Sequence, residues 1–149
     1  NPMEIFAAKG NALITRAAAR DLYDWCNMLS EGLFEEQRDL FRKCFLFYMT
    51  ISADTLNKAF DTSAIDTLDF NKIRRDLFPV LNKKDNFQLD ERKKIAKNYI
   101  SDLMVLTSKE KEYLDRFEEK KYMPELLFED AEIVERVKNH PMALWKCKE

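Results

Sequence analysis

Apolar positions along this chain recur at spacings of three and four far more often than at two, and that period predicts helices. A first helix is expected from about Met3 to Leu29, with Gly10 as a kink or break point and Gly32 as the residue that closes it. Beyond it, Phe34, Phe41, Phe45 and Tyr48 fall on one stripe, and Leu40, Cys44, Phe47 and Ile51 on the next. A stripe of that width belongs to a deeply packed helix. The segment from Ser52 to Asn86 is less regular, because its Asp, Thr and Ser side chains cap short helices or compete for backbone hydrogen bonds. Short helices are expected near residues 54–60 and 69–77, and Pro79 then interrupts the chain.

A longer helix from about Leu89 to Leu106 should bury Ile95, Tyr99, Leu103 and Leu106. Thr107 and Glu110 have the spacing of a capping box and open a charged helix that runs to about Tyr122. Pro124 breaks that helix. The last pattern, residues 125–141, places Ile133, Val134 and Val137 on an apolar face, with Asp130 as N-cap and Pro141 as the stop. The fold class expected is all-α: an irregular multi-helix bundle of about six to eight helices in one domain over residues 1–149.

Composition sharpens this picture. Sheet folds rich in turns are punctuated by Gly and Pro, yet the chain has only two Gly and four Pro. With 149 residues, including eleven Phe, five Tyr and two Trp, it has length and apolar mass for a sizeable core. A net charge of −2 selects no class of partner. Cys26, Cys44 and Cys147 are far apart and lack metal-ligand spacing, which suits reduced thiols in a cytoplasmic protein, with Cys26 and Cys44 in the core. No run approaches the ~20 apolar residues of a membrane span, so no membrane is expected among the partners.

Candidate chemistry concentrates in "AAKGNALITRAAARDLYDW", residues 7–25, where Lys9, Arg16, Arg20 and Asp24 recur at intervals of seven, four and four. At about 100° per residue, a helix unbroken at Gly10 would gather the four charges into an arc of roughly 80°. Two readings fit that arc. Arg20 and Asp24 can be an ordinary exposed pair, worth ~0.5 kcal/mol at most, with Lys9 and Arg16 solvated. Alternatively, three cations converge on phosphate while the carboxylate orients an arginine or helps to hold a metal.

Elsewhere, residues 71–98 carry nine Lys or Arg against four Asp or Glu, interleaved with Phe78 and Phe87 and followed by Tyr99. This is either a nucleic-acid surface or a solvated face over buried aromatics. Residues 110–135 show the opposite bias, ten acids against four bases. His140, the lone histidine, precedes Pro141 and reads as a cap or packing residue rather than a ligand. Neither a serine, histidine and aspartate set nor zinc spacing is present.

The segment "EIFAAKGNALITRAAARDLYDW" resembles the AbiEii/AbiGii family, the nucleotidyltransferase-like toxins of type IV toxin and antitoxin pairs. Its pattern E-x-x-A-x-K-x-x-A-L-x-x-R-x-x-x-R-D-L-Y-D is matched by Glu4, Ala7, Lys9, Ala12, Leu13, Arg16, Arg20, Asp21, Leu22, Tyr23 and Asp24. The later stretches "PELLF" and "HPMALWK" look like the family's closing segments. The resemblance implies the helical C-terminal domain of a polymerase-β-like nucleotidyltransferase. In such enzymes a sheet domain carries a Gly-Ser turn and an Asp-x-Asp pair that hold a divalent metal such as Mg. The implied activity is transfer of a nucleotide from a nucleoside triphosphate (NTP) to an acceptor such as tRNA, with a cognate antitoxin as partner.

Carried over by motif position, Lys9 and Asp24 are catalytic, Lys9 contacting the triphosphate and Asp24 completing the site. Arg16 and Arg20 brace phosphate or Asp24, and Asp21 serves structure. Within the basic run, Arg74, Arg75, Lys93 and Lys94 become the expected RNA contacts. This chain has no Gly-Ser pair, no Asp-x-Asp and no alternating run ahead of Lys9 to build the sheet. It is therefore expected to be the C-terminal part of a longer enzyme or a truncated relative, with no metal site of its own and no activity alone. The alternative expectation is a stand-alone helical module that binds protein or RNA without catalysis.

Overall fold

The computed structural model describes residues 1–52, 56–69, 71 and 88–148. Among the described residues the chain forms seven α-helices and no strand. They are α1 (Pro2–Thr15), α2 (Ala19–Ser30), α3 (Arg38–Ser52), α4 (Leu89–Leu103), α5 (Ser108–Glu118), α6 (Ala131–Val137) and α7 (Pro141–Cys147). Short 3-10 turns at Glu35–Gln37, Ser63–Thr67 and Pro124–Leu126 connect them. The all-helical expectation holds.

The spine is α3, whose wide apolar stripe faces two cores. Its first half gives Phe41 and Phe45 to a cluster with Leu13, Leu22, Trp25 and Met28 of the α1–α2 hairpin, Ile65 of the 3-10 turn, and Ile100 and Leu103 of α4. Its second half gives Leu46, Phe47, Met49 and Ile51 to a cluster with Tyr113, Leu114 and Phe117 of α5, Leu127 and Phe128, and Ala143 of α7. Between these clusters sits a buried ion group. Glu110, wholly inaccessible, accepts from Arg42 Nε at 2.9 and 3.2 Å and from Lys43 Nζ at 3.0 Å.

Helix ends follow local chemistry. Asn1 caps α1 through Met3 N–H, with Pro2 in the first turn. Gly32 closes α2 at φ 67°, its N–H bonded to Leu29 and that of Leu33 to Met28, a Schellman motif. Thr107 and Glu110 form the expected capping box, and Asp130 caps α6. Thr107→Ala removes the bond to Glu110 N–H and should lower stability by about 1 kcal/mol, readable as a shifted urea midpoint at unchanged slope. A shift below a quarter of that would show the box to be inconsequential.

Several expectations need correction. The single helix from Met3 to Leu29 is two helices, broken not at Gly10 but at Ala17, which takes a left-handed φ of 51°. Arg16 and Ala17 N–H both bond to the Ala12 carbonyl, and the chain turns back on itself. Gly10 instead lies inside α1, buried against Trp25 and Phe45. α4 ends at Leu103 rather than Leu106; Leu103 is buried as expected, but the residues that line up with it are Ala96 and Ile100, so Ile95 points outward at 43% exposure and Tyr99 is half-buried, as is Leu106 beyond the helix end. Of the helix expected at 54–60, residues 56–60 form a turn and 54 and 55 lie outside the described residues; α5 stops at Glu118 rather than Tyr122, and Pro141 starts α7 as well as ending what precedes it. The helix expected at 69–77 lies, apart from Asp69 and Asn71, outside the described residues, as does Pro79.

Candidate functional site

The corner at Ala17 brings α2 back against α1, and Trp25 of α2 packs where α1 has no side chain. Gly10 lets the Trp25 indole lie against the α1 backbone, and Trp25 Nε1–H donates to the Phe6 carbonyl at 2.9 Å. The residues adjacent to this contact, Lys9 and Asp24, are thereby brought together although fifteen positions apart. Lys9 Nζ donates to Asp24 Oδ2 at 2.9 Å, and each side chain is 30% exposed.

One turn before Asp24, Asp21 is buried. Burial pushes its carboxyl pKa above the usual value. Attraction to Lys9 and then Arg16 opposes that rise, and repulsion from Asp24 adds to it. Lys9 thus pairs with one carboxylate, Asp24, and acts on a second, Asp21, through its charge. Arg16 and Arg20 flank the Ala17 corner, both exposed, and among the described residues neither makes an ion pair. The arc expected on one continuous helix is therefore not formed: Arg20 and Asp24 keep their four-residue spacing on α2, yet it is Lys9 that takes Asp24. The arrangement offers cationic groups to an anion beside a half-exposed ammonium fixed by its carboxylate.

Among the described residues no cluster of three or more His, Cys, Asp or Glu could hold a metal ion. With Asp24 already bonded to an ammonium, these residues do not by themselves fit a divalent cation. Nor is there an activated thiol. Burial pushes Cys26 and Cys147 upward and Cys44 to about 11, so all three are protonated at neutral pH.

Of the expected RNA contacts, Arg74 and Arg75 lie outside the described residues, with Phe78 and Phe87. Lys93 and Lys94 stand on α4, where with Lys97, Asp66, Asp90 and Asn98 they line a shallow hollow of about 400 Å³. Lys93 is tied to the Asp66 carbonyl at 3.2 Å, and Lys97 pairs with the Asp66 carboxylate at 2.8 Å. Tyr99 is no stacking platform, since its ring packs edge-on against Trp25 and under the Arg38 guanidinium. His140 caps α7 through Nδ1, which accepts from Met142 N–H at 3.2 Å, and its ring meets Phe47 edge-on.

Two features escaped the sequence reading: the proximity of buried Asp21 to Lys9, and the outward apolar side of α7. Asp21 shares its motif with Asp24, so only the hairpin distinguishes them, whereas "MALW" already carried more apolar residues than one face of a short helix can bury. Among helices in the described residues, none is long and apolar enough to cross a membrane. The chain matches no family model, no curated protein and no solved structure.

Proposed function

We propose that this chain is the helical part of a nucleotidyltransferase that moves a nucleotide from an NTP to an acceptor such as tRNA, as its resemblance to the AbiEii/AbiGii toxins implies. The observation that supports the reading best is the Lys9–Asp24 bond, a half-exposed ammonium fixed at 2.9 Å across two helices at the motif's own positions. Nucleotidyl transfer depends chiefly on positioning and on neutralising phosphate charge, and a preset ammonium does both without reorganising. In this reading Lys9 meets the triphosphate, Asp24 holds Lys9 in place, and Arg16 and Arg20 attract phosphate from the rim. The metal belongs to carboxylates of a sheet domain outside this chain, and a bound divalent ion there would neutralise charge on the phosphates.

The test is transfer of a labelled nucleotide by the complete protein. Lys9→Ala is expected to lower kcat/KM by on the order of a hundredfold to a thousandfold, and Asp24→Asn to act in the same direction, with both variants melting close to the parent. Normal transfer by Lys9→Ala would end the proposal. One observation favours the alternative, an interaction module without catalysis: Lys9 is already neutralised by Asp24. There the pair only ties α1 to α2, and its loss changes stability modestly and no activity.

A further inference from the structure

The Ala17 corner is made of residues that resist it. A short connection, Arg16 to Ala18, turns the chain from α1 into α2. Ala17 takes a left-handed φ of 51° there, a conformation in which the Cβ of an L-residue crowds the following carbonyl oxygen. Ala18 is the N-cap of α2 and makes no side-chain bond to the amides of the first turn. Gly at 17 and Ser, Thr, Asn or Asp at 18 would suit a corner. The sequence has instead Ala17, Ala18 and Ala19, three of the best helix formers in succession. Locally the chain favours one straight helix from Pro2 to Ser30, about 43 Å long. What bends it is the packing of α1 on α2 and α3, with Trp25 against Gly10 and Asn11 Nδ2 donating to the Phe45 carbonyl at 3.0 Å.

That packing does not require α1 and α2 to belong to one molecule. Lys9 stands eight residues before Ala17 and Asp24 seven after it, while Gly10 stands seven before and Trp25 eight after. Two straightened helices, laid antiparallel across one another with a two-fold axis at residue 17, therefore set Lys9 of each opposite Asp24 of the other and Gly10 opposite Trp25. These are the pairs already made in the hairpin. Each copy's α1 then fills the place on the second copy's α2 and α3 that the second α1 has left. Exchange keeps the helix-to-helix contacts of α1, removes two left-handed corners and adds continuous helix. A short connection under strain invites this, and the entropy of association that opposes it is offset as protein concentration rises.

We propose that this chain forms a dimer by exchanging α1, with α1 and α2 joined as one helix through Ala17, so that each Lys9–Asp24 pair is built from two copies. The pair is present in both forms, so the proposal does not rest on the catalytic reading.

The experiment unfolds the chain in guanidinium and refolds it at a series of protein concentrations, since exchange requires α1 to leave its place. Products are separated by size exclusion with light scattering. A dimer fraction that rises with refolding concentration and persists after dilution is expected. In dimer refolded from equal amounts of isotope-labelled and unlabelled chain, filtered NMR should show nuclear Overhauser contacts between the Trp25 indole of one copy and Phe6 or Gly10 of the other. Ala18→Ser, at an exposed position, supplies the corner with its missing cap and disfavours the straight helix. Ala17→Gly relieves the left-handed φ and also weakens the straight helix, effects that outweigh the one buried methyl it removes. Because each variant acts at both corners, each is expected to lower the dimer association constant by at least about tenfold. A parent that stays monomeric at every refolding concentration would overturn the proposal. So would a dimer in which Trp25 meets only its own α1, the sign of docking through an exposed face such as that of Trp145, or a dimer fraction that Ala18→Ser leaves unchanged.

Discussion

Glu110→Gln is expected to destabilise the fold by about 3–5 kcal/mol, the range for breaking a buried ion group from one side. In a domain of this size that lowers the melting temperature by on the order of 10–15 °C. Glu110 is wholly inaccessible, and each of its oxygens is used. One accepts Arg42 Nε at 2.9 Å and Thr107 N–H at 2.9 Å; the other accepts Lys43 Nζ at 3.0 Å. Glutamine keeps the volume and can still accept from Thr107, but it removes the charge and turns an amide N–H₂ toward cations. Arg42 and Lys43, with side chains 10% and 16% exposed, are then left without their buried counter-ion. Arg42 retains Asp39 at 3.0 Å, a pair that is mostly solvated on the aspartate side and so replaces little of the loss.

The same group predicts a pH signature. Burial pushes the Glu110 carboxyl upward, but hydrogen bonds from Arg42, the Thr107 backbone and Lys43 outweigh it and hold the pKa below the usual 4.5. A folded pKa below the unfolded one means stability that is fully present above about pH 4.5 and is lost as pH falls through the folded value. Parent and Glu110→Gln should therefore differ most near neutrality, and the difference should narrow as pH falls below 4.5. Urea titrations at pH 7 and pH 3.5 measure this. A difference under about 1 kcal/mol at pH 7, or one of equal size at both, would show that the ion group does not carry the junction between the two cores.

Which parts of this architecture were legible in the sequence follows from where the physics is local. The α3 stripe from Leu40 to Ile51, the Thr107–Glu110 box, the Asp130 cap and the Gly32 closure each depend on residues within a turn or two of one another, and each was read correctly, whereas Phe34, expected on the same stripe, lies before the helix at a left-handed φ of 66°. The break at Ala17 was hidden because alanine is the best helix former and is not among the residues that routinely take a left-handed φ. Gly10, the conventional breaker, had the reverse role, since its missing side chain serves a neighbour far along the chain. The phase of α4 was misjudged for a related reason. A large Ile95 outranked a small Ala96 in any periodic reading, but Ala96 is the residue that fits fully into the first core. The candidate site shows the same division. All of Lys9, Arg16, Arg20 and Asp24 were named, but their mutual arrangement was not, because Lys9 meets Asp24 only through the hairpin.

Gly10→Ala tests that hairpin, and here the sign of the result is decisive. Helix propensity alone predicts a gain of about 1 kcal/mol, since Gly10 lies inside α1. Packing predicts the opposite. A Cβ at this position would lie 2.3 Å from Trp25 Cζ2 and 2.5 Å from Phe45 Cε2, far inside van der Waals contact. Neither ring has room to yield. Both are fully buried, Trp25 is pinned by its bond to the Phe6 carbonyl, and it packs against Phe41, Phe45 and Tyr99 together. Overpacking of this kind costs about 1–3 kcal/mol, occasionally more. With two rings met below 3 Å, a net loss of about 2 kcal/mol or more is expected after the propensity gain. The strain is relieved by parting α1 from α2, and a separation of even ~1 Å takes the adjacent Lys9–Asp24 bond beyond hydrogen-bond length. A double-mutant cycle with Trp25→Phe separates the effects. The smaller ring destabilises the parent by leaving space, yet should partly rescue Gly10→Ala, with a coupling of about 1 kcal/mol or more. If Gly10→Ala were instead stabilising, the helices would be free to approach differently, and Lys9 and Asp24 would owe their proximity to something other than the glycine beside them.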